Sequence, residues 1–343
     1  MGQDDGMRCS VVILNWNGAA MMRRYLPSVV SNTIGEGIEV VAADNGSTDE
    51  SLRVLREEFP SVRVIVLDRN YGFAEGYNRA IALIDSEYTV LLNSDVEVTE
   101  DWLSPLLSYM DTHPQTAACQ PKILSWSSKE RGERPILFEH AGAAGGMMDA
   151  MGYPFCRGRV MNHVERDEGQ YDSIVPVFWT SGAAMCVRTR IYKETGGLDA
   201  AFFAHMEEID LCWRMQCRGN SLVCVPQSTV YHLGGGALSY ENPRKTYLNF
   251  RNNLLMLYKN LPYPRLLIVL FCRFFLDYAA ALQYLLKGQG KNAMSVVKAR
   301  CDYWRMRTGS DMRLKRTTNR RLATVSYPSL ITRRLVFFRL FGD

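Results

Sequence analysis

The sequence predicts an α/β fold: a mostly parallel, Rossmann-like sheet flanked by helices, with a helical, basic C-terminal extension. Three observations predict it. Over the first 125 residues, short apolar runs rich in β-branched residues alternate with amphipathic stretches, the pattern of βαβ units. Clusters of Asn, Asp and Gly close those apolar runs, at the strand ends where open α/β sheets hold ligands. Positive charge gathers at the far end. From Lys287 onward there are 14 Lys and Arg against 3 Asp and Glu, a net of +11 in a chain whose total is +4.

Composition sets the bounds. The 343 residues are 47% hydrophobic and 22% charged, an ordinary globular balance that excludes global disorder, collagen-like repeats and a polytopic membrane protein. That length makes one large domain or two, with ample core. The nine cysteines have no CxxC or zinc-like spacing, so they read as reduced core thiols of a cytosolic protein. The first residues, MGQDDGMRCS, lack an apolar signal core. Gly6 stands where a myristoylation site wants Ser or Thr. A cytoplasmic location is expected.

The elements follow in order. Strands are predicted over Cys9–Trp16, Ile38–Ala43, Val62–Leu67 and Tyr88–Leu92, with helices near Met21–Ser31, Asp49–Glu58 and Ala74–Asp85. Ser47 with Glu50 has the capping-box pattern, predicting a helix right after the second strand. Thr99 is the expected cap of the helix after the fourth. Residues 125–176 are irregular, and Gly142–Met148 (GAAGGMM) reads as a loop or flexible flap. Order returns at Val177–Val187, followed by a helix over Glu207–Arg218 and short strands at Ser221–Val225 and Thr229–Tyr231.

Leu266–Leu286 is apolar enough to raise a transmembrane question but contains Arg273, Asp277 and Gln283. Each central charge costs about 2.5–3.5 kcal/mol on insertion. An interfacial or protein-docked helix is favoured, with a span and a core helix as alternatives. Arg273 and Asp277 lie i,i+4 and can pair. The basic residues that follow, with Tyr303, Trp304, Phe337 and Phe338 among them, fit an anchor at an anionic membrane surface. No nucleic-acid-recognition signature accompanies them.

Three constellations carry chemistry. Asn93-Ser94-Asp95 ends an apolar strand, so its carboxylate faces the ligand edge, where a Mg²⁺ or Mn²⁺ ion would hold a diphosphate. Glu97 lies two residues on. Glu207-Glu208-Ile209-Asp210 enters a helix. Crowded carboxylates raise one another's pKa, which suits a general base. Glu207, Asp210 and Arg214 share one face, and Glu208 is rotated from Asp210. His232 closes a strand before three glycines. Walker, GxGxxG and GxSxG motifs are absent at the expected places.

Together these segments resemble the family 2 glycosyltransferases of the GT-A fold, in the rhamnosyltransferase-like branch of bacterial surface polysaccharide assembly. The resemblance rests on VVILNWNG at 11–18, DNGSTDES at 44–51, NYGFAEGYNRAI at 70–81 and LLNSDVEV at 91–98. It continues with SGAAMCVR at 181–188, GGLDAAFFAHMEEIDLCWR at 196–214 and VYHLGGG at 230–236. It spans about Cys9 to Asn260.

The resemblance implies an inverting, metal-dependent transfer of a sugar from a nucleotide diphosphate donor, first deoxythymidine diphosphate rhamnose. The hydroxyl acceptor is a saccharide, expected to be lipid-linked. It implies that Asn15, Asn17, Asp44, Asn45, Asn70, Gly72, Asn78, Asn93 and Asp95 hold the nucleotide sugar. Asp95 and His232 would hold a divalent cation, Mg²⁺ or Mn²⁺. Glu208, Glu207 and Asp210 form the catalytic acid group, with Glu208 matching the usual base and Glu207 its alternative. Trp179, Ser181 and Gly182 would meet the acceptor. Two departures stand out: Asn93 replaces the first acid of the DxD-type pattern, and Glu208 stands where many relatives have Asp.

The domain expectation is a catalytic domain over residues 1–260, with a nucleotide-sugar half at about 8–125 and an acceptor half at 126–260. A helical basic membrane-associating region would follow over 261–343. The protein is expected to be peripheral on the inner face of the cell membrane. The alternative function is an inactive nucleotide-sugar-binding scaffold of a glycan assembly complex.

Overall fold

The computed structural model describes residues 6–234, 242–308 and 331–332. The expected anchor residues Phe337 and Phe338, most of the basic tail, and Gly235 and Gly236 lie outside the described residues.

The chain begins with β1 (Cys9–Asn15), α1 (Ala19–Asn32), β2 (Ile38–Asn45), α2 (Ser51–Glu58), β3 (Arg63–Leu67), α3 (Gly72–Ala82) and β4 (Tyr88–Asn93). These strands pair in parallel in the order β4-β1-β2-β3. Both faces are covered, which is why the strands read as continuous apolar runs. Val12, Val41, Ala43 and Leu91 pack on one face, and Val11, Ile13, Ala42, Val90 and Leu92 on the other. Asn15 pairs with Asp44 and Leu14 with Asn93 in register. One sheet edge therefore collects the polar strand ends.

The sheet continues through β5 (Val96–Val98), α4 (Ser104–Thr112), β6 (Thr116–Ser125) and α5 (Trp126–Glu130). Next come β7 (Gly146–Asp149), β8 (Pro154–Cys156), β9 (Arg159–Val160), β10 (His163–Val164) and β11 (Val175–Pro176). Then follow β12 (Ala184–Arg188), α6 (Thr189–Thr195), α7 (Glu207–Cys217) and β13 (Ser221–His232). β12 runs antiparallel between β4 and β6, and β13 lies parallel to β6. The main sheet thus reads β11-β13-β6-β12-β4-β1-β2-β3, with β5 on β13. The chain closes with α8 (Pro243–Asn260), α9 (Arg265–Leu286), α10 (Gly290–Thr308) and β14 (Ile331–Thr332).

Several expectations change. α2 starts at Ser51 without a side-chain cap. Ser47 is not the cap because its Oγ accepts from the Asn17 N–H at 2.9 Å instead. Thr99 caps nothing: its hydroxyl donates to the Thr229 carbonyl at 2.8 Å, and α4 begins only at Ser104. The strands at 221–225 and 229–231 are one strand, β13, with an irregularity in its pairing. The Gly142–Met148 run is no flap: Ala143, Ala144 and Met148 are fully buried. The irregular 125–176 segment supplies β7 to β10 of a second small sheet, β10-β9-β8-β7-β14, which β14 joins from residues 331–332.

Candidate active site

The first loop cluster is held by side chains reading their own backbone. Asn15 donates to Asp44 Oδ1 at 3.1 Å, and Asp44 Oδ2 accepts the Ser47 N–H at 3.0 Å. Asn45 donates to the Gly72 carbonyl at 3.0 Å and accepts the Tyr71 N–H at 3.0 Å. Asn70 accepts the Gly72 N–H at 2.8 Å. Asn17 accepts the Thr48 N–H at 2.8 Å. Gly72 takes a φ of +78°, and a Cβ there would meet the Phe203 ring at 2.9 Å, so only glycine fits. Asn15, Asp44 and Asn45 are buried at this edge, and Asn15 Oδ1 has no partner.

Asn78 lies on α3, with its amide turned to the protein. Its carbonyl oxygen accepts from Tyr192 at 2.7 Å and from the Leu198 N–H at 2.9 Å, and its amide donates to the Leu198 carbonyl at 2.7 Å. It pins α3 to the turn leading toward α7, and those bonds occupy its amide.

At the end of β4, Asp95 Oδ1 lies 3.1 Å from His232 Nε2, and the Asn93 amide lies 3.4 Å from the same nitrogen. β13 carries His232 there by pairing it with Val96. On the other side of the ring, Glu139 Oε1 is 3.8 Å from Nδ1. Both side chains are almost fully buried, and Nδ1 has no hydrogen-bond partner. Burial opposes the charged imidazolium, but Asp95 and then Glu139 outweigh it, so the His232 pKa is raised. Burial likewise raises Asp95, and His232 more than reverses it, leaving that carboxyl below its ordinary value. Glu97 turns away to Trp126 Nε1 at 2.8 Å and to Lys129.

The donor set of Asp95 and His232 suits a hard divalent ion. Such ions take one or two protein carboxylates and complete their shell with substrate phosphates and water. No group of three or more His, Cys, Asp or Glu ready to hold a metal occurs among the described residues. A bound ion would therefore need the donor's own phosphates. Glu139 lies on the Nδ1 side of the ring, where a carboxylate orients a metal-ligating histidine, though at 3.8 Å it makes no hydrogen bond there.

α7 supplies the other acids. Glu207 and Glu208 each keep one buried carboxylate oxygen without a partner. Burial pushes Glu208 up to about 6, against the N–H groups of Glu208, Ile209 and Met206 at the helix start. Burial and then the Glu208 charge hold Glu207 well above its usual value. A Cβ on Gly182 would stand 3.7 Å from the Glu208 Cβ. The neighbouring Ala183 carbonyl accepts the Asn93 N–H at 3.0 Å. Glu208 and the Asn93–Asp95 turn therefore border the same corner.

Asp210 is different. Arg214 Nε, Lys259 Nζ and Asn260 Nδ2 each donate to its carboxylate at 2.8 Å, and it is fully buried. Burial raises its pKa, but Arg214 and Lys259 overcome that and hold it low. Asp210, expected in the catalytic acid group, spends its carboxylate on anchoring α7 to α8. Trp179 and Ser181 are also largely committed. Trp179 donates to the Met147 carbonyl at 2.9 Å, and the Ser181 hydroxyl donates to the Ala141 carbonyl at 3.2 Å.

The sequence reading missed three contributors. Glu139 comes from the irregular segment. Asn252 and Arg251, on α8, hold the loop before α7. Asn252 Nδ2 lies 2.9 Å from the Phe202 carbonyl and 2.8 Å from those of Ala204 and His205. Arg251 adds a bond to the Phe202 carbonyl at 3.0 Å. That loop is strained, with φ of +66°, +70° and +75° at Phe203, His205 and Met206.

This sheet, with its polar strand-end site, is the GT-A arrangement. Residues 10–152 match the model for Glycosyl transferase family 2, so the chain carries a glycosyltransferase domain of that family and is an enzyme of that class. Among curated relatives, it is 28% identical over 236 residues to the N-acetylglucosaminyl-diphospho-decaprenol L-rhamnosyltransferase of Mycobacterium tuberculosis, covering 65% of this chain and 75% of that one. Two solved structures share the fold at low identity. One is GalNAc-T7 with UDP, GalNAc and Mn²⁺, at a TM-score of 0.57 and 18% identity, covering 75% of this chain and 48% of that one. The other is the mannosyltransferase of Pyrobaculum calidifontis with GDP-mannose and Mn²⁺, at a TM-score of 0.54 and 13% identity, covering 87% of each chain. The chain spans about half the length of the first of these structures.

Proposed function

We propose that the protein transfers a sugar, with rhamnose as the first candidate, from a nucleoside diphosphate donor to a saccharide hydroxyl on a lipid-linked acceptor, with inversion. The carrying observation is Glu208: a carboxyl poised near pH 6 with a buried, unpartnered oxygen, at the same corner as Asp95 and His232. The rhamnosyltransferase relative supports the choice of sugar and lipid-linked acceptor through its name alone. We assign the enzyme to the cytoplasmic face of the membrane as a peripheral protein, where it would meet a lipid-linked acceptor. We assign donor binding to residues 8–125, acceptor binding to 126–260 and membrane association to 261–343.

In this mechanism the Asn15, Asp44 and Asn45 edge receives the nucleoside, and Asn17, Asn70 and Gly72 shape the loops beside it. Asp95 and His232 would hold Mg²⁺ or Mn²⁺ with Asn93 alongside, and that ion would stabilise the negative charge of the diphosphate. Glu208 takes the proton of the acceptor hydroxyl as its oxygen bonds the anomeric carbon. The anomeric bond to the diphosphate breaks in the same displacement, and the nucleoside diphosphate leaves. Glu207 lies deeper, where burial disfavours a second charge beside the base. Gly182 leaves room beside Glu208 for the acceptor, with Trp179 and Ser181 behind it.

Calorimetry across a panel of nucleotide sugars, with and without Mn²⁺, tests the reading on the wild type and Asp95→Ala. The expected result is metal-dependent binding of one donor, lost in the variant. Folded protein that binds no donor overturns it, and donor binding without turnover on any acceptor would favour the scaffold alternative.

A further inference from the structure

α9 is amphipathic in an inverted sense. Its two central charged residues face the protein. Arg273 Nε donates to Asp277 Oδ1 at 3.0 Å, and Arg300 Nη1 donates to Asp277 Oδ2 at 2.6 Å. Arg273 also binds Asn253 and lies 3.9 Å over the Tyr153 ring. Arg273 is 1% exposed and Asp277 is fully buried. Two charges so paired fix the rotation of the helix, because leaving either unpaired in the interior is costly. The opposite face is left in water. Ile268, Phe271, Phe275, Leu282 and Leu286 are exposed, Phe271 at 67% and Leu286 at 81%. A contiguous apolar face of this kind marks a contact surface. Beside it, a groove of about 260 Å³ between α9 and α10 is lined by Tyr278, Ala281, Leu282, Leu285, Ala293 and Met294.

Charge chooses the occupant. Over residues 261–308 the exposed charged side chains are Lys287, Lys291, Lys298 and Arg305. The only acids there are Asp277, buried, and Asp302, bonded to Tyr247 at 2.7 Å. Residues 309–343 add 8 Arg and Lys against 2 Asp. A second copy docking by two-fold symmetry would bring this basic rim against itself. An anionic lipid surface complements it.

We propose that the outward face of α9 and the α9–α10 groove seat in the headgroup–hydrocarbon boundary of an anionic bilayer, with α9 lying in the membrane plane and a lipid chain in the groove. α9 is long and apolar enough to span, but its inner face is bonded to the protein and cannot meet lipid. The inference deepens the membrane part of the proposed function, and its test uses neither donor nor acceptor.

The experiment is flotation of the full chain with vesicles of phosphatidylcholine alone, or of phosphatidylcholine and phosphatidylglycerol at two to one, at low and high salt. The wild type is expected to float with the anionic vesicles at low salt and to be released by high salt. Phe271→Glu with Phe275→Glu should weaken binding on the order of tenfold or more, and Lys291→Glu with Lys298→Glu similarly. Both pairs point outward, and unchanged circular dichroism and donor affinity confirm the fold. Wild type that stays unbound at low salt overturns the proposal. So does a dimer in sedimentation velocity that the Phe pair splits. Vesicle binding by a protein that binds no donor sinks the transfer reading and leaves this one standing.

Discussion

Glu208 and Glu207 are adjacent, yet their surroundings shift them by different routes. Glu208 titrates near 6 through burial, so it is ionised at neutral pH and can accept a proton. Burial and then the Glu208 charge raise Glu207 well above its ordinary value, which disfavours a second charge beside Glu208. Glu208→Gln should lower kcat about 10²- to 10⁴-fold with donor affinity kept, while Glu207→Gln should cost far less. The wild-type rate should rise with pH through about 6, a limb absent from the residual activity of Glu208→Gln. The stability sign runs the other way. Between the ordinary 4.5 and about 6 the folded chain holds more proton than the unfolded one, so stability falls as pH rises through that window. Urea midpoints of wild type and Glu208→Gln across it measure the difference. Glu139 makes a separate claim, resting on its place 3.8 Å from His232 Nδ1. Outer-shell carboxylates commonly matter about 10- to 100-fold in metal affinity, so Glu139→Gln should weaken Mn²⁺ binding in the presence of saturating nucleoside diphosphate, read by calorimetry, by a factor in that range. Unchanged Mn²⁺ affinity would remove Glu139 from the site.

At the scale of elements, α8 positions the base without touching it. Three positive-φ residues store strain in the 203–206 loop, and Asn252 meets its carbonyls from beneath. Asn252→Ala should leave the far-ultraviolet spectrum intact, lower kcat and make the loop more susceptible to proteolysis. A lowered melting temperature with unchanged kcat would mean the contact is structural only. Lys259 binds Asp210 and Asp199 in the interior. Lys259→Met removes one buried partner and should cost about 3–5 kcal/mol, measured by urea unfolding. These elements also show where sequence reading stops. The four parallel strands were legible because both their faces are buried, giving unbroken apolar runs. Asp95, His232 and the Glu pair were legible as chemistry at strand and helix ends. Asn252 and Lys259 were not legible: they are polar residues of a mixed helix, with meaning only once the loop carbonyls and the acids they bind are known. Glu139 gave no local signal, because its place depends on long-range pairing. Ser47 and Thr99 looked like caps because short polar side chains serve any nearby backbone group, and the loops used them first.

At the scale of the molecule, the polar edge lies at the strand ends while the apolar helix and basic rim lie in the C-terminal third. Such a division separates chemistry from address. If α9 rests on a bilayer, a lipid-linked acceptor and the enzyme share a surface, and encounter becomes a matter of local concentration. A soluble saccharide acceptor gains nothing from that surface. Anionic vesicles should therefore raise turnover of a lipid-linked acceptor carried in them, measured at sub-saturating acceptor, and leave turnover of the soluble analogue unchanged. High salt should erase the difference, because the attraction is screened within about 8–10 Å. Phe271→Glu with Phe275→Glu should turn over the soluble analogue at the wild-type rate and lose the stimulation. Equal stimulation of both acceptors would instead mean that lipid acts on the active site itself, through the Arg273–Asp277–Arg300 network that joins α9 and α10. A loss of soluble-acceptor turnover in the Phe pair would carry the same meaning, since those rings contact neither the Asp95–His232 pair nor α7.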